Sequence, residues 1–207
     1  MPKLNLVYSH EKELFIANSQ KERLETVNVD FDFLRLSQPA ADDKISSSIS
    51  ELKKEWGLKE EWFIRQLGWF YDCDFDLNGW TAYLIRYPIR PYSTPEKWFA
   101  VSFNPVSKQL KNIGHELFHQ PFHLFWQKKC EEIFKNIVNP EWAKENLVAR
   151  DLKEALPELL NTKEFNLSEE PDNGHPESGE QFFRHLIRKY YRDHGPFTFE
   201  EFLKSIA

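Results

Sequence analysis

Gly114-His115-Glu116-Leu117-Phe118-His119-Gln120-Pro121-Phe122 is the stretch on which the reading of this chain turns. It spells H-E-x-x-H, and its flanks Ile113, Gly114, Leu117, Phe118, Gln120 and Phe122 are all uncharged. The spacing predicts a helix over Val106 to Phe134. Each residue of a helix turns it by about 100°, so two His four apart leave the same face, one turn above each other. Imidazoles placed that way can each give a nitrogen to one tetrahedral Zn2+. The Glu after the first His points beside the same metal. There it can take a proton from a metal-activated water and pass it to a leaving amine. Five residues thus supply two candidate ligands, His115 and His119, and a candidate general base, Glu116. The same pattern also fits an amphipathic helix with two core histidines, but the uncharged flanks favour a helix buried beside a metal. Pro121 removes one helical hydrogen bond and clashes with the carbonyl of Leu117, so a kink is expected within or just after the motif.

Composition bounds the rest. The chain has 207 residues, enough for one domain over 1–207 with a sizeable core; residues 1–45 are a candidate N-terminal appendage. Aromatic residues make up 15%, including 18 Phe and 7 Trp, which implies a core built on ring packing. A net charge of −6 argues against nucleic acid as a partner. Cys73 and Cys130 are too few for a disulfide framework, and neither belongs to a CxxC pair. No stretch of 18 apolar residues exists, and Met1-Pro2-Lys3 leads into no apolar leader. A cytoplasmic protein without a membrane partner is expected. The sequence does not fix its oligomeric state.

Along the chain, Ser9 before His10-Glu11-Lys12-Glu13 reads as a helix N-cap with acids in the first turn. Val27, Val29, Phe31 and Phe33 alternate as in a strand, and Ile49 to Tyr71 has helical spacing, with Gly57 as a candidate break. Trp80 to Tyr87 and Trp98 to Phe103 read as strands, separated by Pro88, Pro91 and Pro95. If 98–103 were an exposed edge, it would hold an extended peptide by backbone pairing. Plain hairpin scaffolding accounts for it equally well. Pro140 to Leu160 is predicted helical, 168–180 is an acidic, Pro- and Gly-containing solvated loop, and 181–191 and 197–206 are closing helices. The fold class is α+β: helix-rich, with a small antiparallel sheet packed beside the H-E-x-x-H helix.

Two His leave zinc short of a third protein ligand. Asp151-Leu152-Lys153-Glu154-Ala155-Leu156-Pro157-Glu158 is the best place to look for it. Glu154 and Glu158 are four apart, Asp151 lies three before Glu154, and carboxylates set among leucines are costly to bury without a partner. On these residues, over about 80–161, the chain resembles the gluzincin-type zinc metallopeptidases. In that family H-E-x-x-H is completed by a Glu on a later helix, with an acidic residue four positions on supporting a ligating His. The resemblance implies a zincin-like catalytic core at 80–161. It implies Zn2+ held by His115, His119 and Glu154, with Glu116 as base and Glu158 behind a histidine. The chain departs from the pattern at Lys153, where the family has Asn, and at Pro157 and Pro121.

Asp151, Glu158, His123 and His175 are the rival third ligands. Tyr190, Tyr191 and His185 are oxyanion donors by residue type only, and packing accounts for them better. The expected function is zinc-dependent hydrolysis of a peptide or amide, with a peptide or protein as substrate. Two alternatives stand beside it: a metal-containing binding or regulatory module without turnover, and a metallo-amidase acting on small substrates.

Overall fold

The structure, a computed structural model, describes residues 3–21, 42–87, 89–130, 147–174 and 178–206. The strand expected at 27–33, the helical stretch 140–146 and His175 lie outside the described residues. The chain divides into two compact units. One is Met1–Leu58 with Leu77–Ile113; the other is Lys59–Asp76 with Gly114–Ala207.

The first unit is built on a four-stranded sheet of β1 (Asn5–Val7), β2 (Thr81–Ile85), β3 (Tyr92–Ser93) and β4 (Trp98–Ser102), in the order β1-β2-β4-β3. β1 and β4 both run parallel to β2, and only β3 is antiparallel, to β4. The expected antiparallel sheet is therefore mixed. The reason lies in the proline-rich stretch between β2 and β4. Parallel neighbours need a crossover of about a dozen residues or more. Residues 86–97 provide it by reversing twice, the second time through a tight turn in which Lys97 adopts φ 53°. The intervening β3 is two residues long and leaves no periodicity to read.

A second expectation falls with the first. Every residue of β4 is buried, and both its edges are paired, so 98–103 offers no free backbone to a peptide. Helix α1 (His10–Ser19) packs on this sheet, with the Ser9 hydroxyl accepting from Lys12 N–H at 3.2 Å as the N-cap. Glu13, fully buried, is held by the Arg86 Nη2 and main-chain N–H, both at 2.7 Å. Helix α2 (Asp42–Gly57) completes the described part of this unit together with the start of α4 (Val106–Pro121).

The second unit contains α3 (Glu60–Tyr71), the motif half of α4, α5 (Leu147–Ala155), α6 (Ser178–His194) and α7 (Phe199–Ile206). Its core is aromatic. Phe70 meets Tyr71, Phe118, Phe165, Phe197 and Phe199 at ring separations of 4.8 to 6.0 Å, most of them edge-on. Gly114, just before the motif, is demanded by this packing. A Cβ there would lie 2.6 Å from a Leu167 methyl and 2.8 Å from a Leu160 methyl. Gly114→Ala is expected to cost about 1–3 kcal/mol of stability through overpacking, read from urea unfolding midpoints; an unchanged midpoint would contradict the contact.

Both prolines change the helix type instead of ending the helix. α4 stays α-helical through the whole motif, then widens into a π-helical turn over Phe122–Trp126 immediately after Pro121. The Tyr71 hydroxyl donates to the Phe118 carbonyl at 2.7 Å, and the Trp126 indole donates to the Tyr71 carbonyl at 2.9 Å, fixing this transition. Pro157 likewise converts the end of the expected 140–160 helix into a 3-10 helix, Leu156–Asn161. Among the described residues, no helix is long and apolar enough to cross a membrane.

Candidate metal centre

Helix α4 brings His115, Glu116 and His119 to one buried locus, with all three of their ligand atoms within 4.8 Å of one another. The imidazoles stand edge to face, centroids 4.7 Å apart. Helix α5 delivers Glu154 to the same point: its Oε2 lies 3.5 Å from His119 Nε2 and 3.8 Å from His115 Nε2. The Lys153 ammonium holds the other oxygen, Oε1, at 2.9 Å. One carboxylate oxygen is thus occupied while its twin faces both imidazoles.

The separations bear on a metal directly. Tetrahedral zinc with bonds of about 2.0–2.2 Å keeps its ligand atoms about 3.4 Å apart. Glu154 Oε2 stands within about 0.4 Å of that spacing from each Nε2. The donor set of two imidazoles and one carboxylate suits zinc and related first-row ions. Charge balance points the same way. Glu116, Glu154, Glu158, Asp172 and Glu180 crowd a region whose cations are Lys153, Arg184 and Arg188. At full ionisation two negative charges remain, which a divalent cation would neutralise.

The partner on the far side of His115 is Asp172, whose Oδ2 lies 2.9 Å from Nδ1. Burial works to raise the Asp172 pKa, but His115 and Arg184 outweigh it and hold the carboxyl well below its usual range. An ionised Asp172 accepts a proton on Nδ1, which leaves the Nε2 lone pair turned toward Glu154 and available to a metal. Burial pushes His119 down to about 3 against the pull of Glu154, so its ring is neutral, the form that ligates metals. Burial also opposes the ionisation of Glu154, yet the two imidazoles and Lys153 keep its carboxyl below the ordinary range.

These shifts give a pH dependence of definite sign. His119 ordinarily titrates near 6.5, so between that value and about 3 the unfolded chain binds a proton that the folded chain refuses. Its contribution is complete above pH 6.5 and is lost as the pH falls toward 3; the depressed carboxyls Glu154 and Asp172 add losses below about 4.5. The metal-free chain is expected to lose about 2 kcal/mol between pH 6.5 and 5, measured by urea unfolding. His119→Gln should flatten that slope. A slope unchanged by the substitution would contradict the buried neutral imidazole.

The remaining sequence candidates fall elsewhere. Glu158 is buried but touches no histidine. Its carboxylate accepts from Arg184 Nη1 at 3.0 Å, Arg188 Nη1 at 3.3 Å and Asn161 Nδ2 at 3.2 Å. The cause is the 3-10 segment, which turns about 120° per residue and so carries Glu158 off the face of Glu154. Asp151 pairs with Arg150, and its carboxylate fills the space beside Gly179, where a Cβ would come within 1.8 Å. His123 is half-buried on the π-helical turn with Nδ1 2.7 Å from Gln127 Oε1. Tyr190 stacks on His194, Tyr191 donates to Glu164, and His185 is exposed.

Sequence reasoning missed Asp172, Lys153 and Arg184. Asp172 and Glu180 belong to the stretch expected to be solvated, yet both are buried. The available signal was the i, i+4 pair Glu180–Arg184 at the start of α6, whose guanidinium draws the acids inward. Comparison with protein-family models, with curated proteins and with solved structures finds no match to this chain.

Proposed function

We propose that the second unit is a zinc-dependent peptide or amide hydrolase with a zincin-like site. The observation that carries this reading is the convergence of His115 Nε2, His119 Nε2 and Glu154 Oε2 at metal-ligand spacing, with Glu116 beside them. His115, His119 and Glu154 would hold the ion. Zinc bound there supplies Lewis acidity and an activated water.

The chain's own groups do the rest. Glu116 takes a proton from the attacking water onto its carboxylate and hands it to the departing nitrogen. Asp172 holds the proton on His115 Nδ1 and so keeps Nε2 directed inward. Lys153 fixes Glu154 through Oε1 and leaves Oε2 as the single inward-facing oxygen. Burial of both histidines and of Glu116 excludes bulk water from the locus.

The interior position of β4 removes the feature that pointed to an extended peptide, so a small amide stands level with a peptide as substrate. The test is hydrolysis of an unfolded polypeptide and of a panel of small amides by the zinc-loaded chain. Activity lost to a chelator and restored by zinc supports the reading. Zinc uptake without turnover on any of these would leave a metal-containing binding module.

A further inference from the structure

We propose that Arg184 is the positioning residue of the metal centre, aligning His115 through Asp172 and Glu154 through the main chain. The inference rests on the metal reading above and assigns a role to a residue ten positions beyond the last acidic loop glycine, Gly174. Arg184 is completely buried. Its Nη2 donates to Asp172 Oδ1 at 2.7 Å and to the Glu154 carbonyl at 3.2 Å. Nη1 donates to Glu158 Oε2 at 3.0 Å and to the Asp172 carbonyl at 3.1 Å, and Nε to Glu180 Oε1 at 2.6 Å.

Asp172 therefore divides its carboxylate: Oδ1 faces the guanidinium and Oδ2 faces His115. One terminal nitrogen of Arg184 touches both the residue that backs a histidine ligand and the main chain of the carboxylate ligand. A cation serving charge balance alone would need the three carboxylates. It would not need the carbonyls of Glu154 and Asp172, which tie the guanidinium to the backbone of two residues of the centre. Only a planar fork of five donors can reach all five acceptors; a lysine has three donors and no fixed plane. The loop is pressed onto this fork. Gly174 has φ 62°, and a Cβ there would lie 1.8 Å from Glu180 Oε1 and 2.2 Å from Arg184 Nε.

The experiment is zinc affinity of the full chain, stripped with a chelator and titrated in competition with a chromogenic one. It is run beside the visible spectrum of the Co2+-loaded protein and the thermal unfolding of the metal-free form. Arg184→Lys keeps the charge and loses the fork. It is expected to weaken zinc about 10–100-fold, the range for groups that support a metal ligand, and to shift the Co2+ bands. Asp172→Asn should fall in the same range. The double variant should lose less than the product of the two, because part of the effect of Arg184 passes through Asp172.

Glu180→Gln loosens the guanidinium without removing it and touches no candidate ligand, so it serves if Arg184→Lys does not fold; a smaller loss in the same direction is expected. Wild-type affinity in a folded Arg184→Lys chain would overturn the proposal and leave the metal reading standing. So would wild-type affinity in Glu180→Gln where Arg184→Lys does not fold, or losses that multiply in full. Failure of the wild-type chain to take up zinc would instead defeat the metal reading, and this proposal with it.

Discussion

Replacing His119 with alanine is expected to abolish stoichiometric zinc: elemental analysis should give about one zinc per chain for the wild type and none after dialysis for the variant. His119 Nε2 stands 3.5 Å from Glu154 Oε2, so its loss takes away one of three inward-facing donors. A site reduced to one imidazole and one carboxylate should bind at least about a hundredfold more weakly, beyond the 10–100-fold of a supporting group. Glu154→Ala should behave in the same way. Asp151→Ala should retain its zinc, because Asp151 is engaged with Arg150 and packed beside Gly179. These three variants together separate the ligand set from its neighbours. Full zinc in His119→Ala would mean that the H-E-x-x-H helix is a packing element and that its metal-like geometry has another cause.

Glu116→Gln carries the second large effect, of a different kind. The amide preserves shape and hydrogen bonding but cannot accept the proton of an attacking water. Turnover is expected to fall about 10²–10⁴-fold while zinc content stays at the wild-type level. Glu116 is buried, with its carboxylate grouped with both imidazoles, so the change acts on chemistry and not on an exposed surface. The measurement is the rate on whichever substrate the chelator-sensitive screen identifies, alongside metal analysis of the same preparation. Loss of zinc in Glu116→Gln would recast Glu116 as a ligand. Undiminished turnover would place the base elsewhere.

The parts of the site legible in the sequence are those set by local geometry. One helical turn fixes the relation of His115, Glu116 and His119, and no distant contact has to be known to read it. Glu154 was reachable because α5 carries its acids at helical spacing among leucines. Glu158 went astray because Pro157 changes the turn angle between the two. Asp172 was out of reach for a deeper reason. Its neighbours Pro171, Asn173 and Gly174 are exposed and look solvated, and what buries it is a guanidinium twelve residues on. The sheet shows the same limit. Thr81–Ile85 and Trp98–Ser102 were recognisable as strands from composition, but their relative direction depends on the two-residue β3 and on a left-handed Lys97.

The π-helical turn at Phe122–Trp126 has a consequence for how this chain tolerates changes of length. Each of its hydrogen-bonded rings spans one residue more than an α-helical ring, so the helix already carries a surplus residue at that point. Deleting one residue from the turn would let an α-helical ladder close and would rotate everything after it by about 100°. Trp126 would then leave the Tyr71 carbonyl, and His123 would move with it. His115, Glu116 and His119 would keep their places, since they precede the turn on unbroken α-helix. Insertions and deletions can thus collect immediately downstream of the motif without altering the spacing on which its chemistry depends.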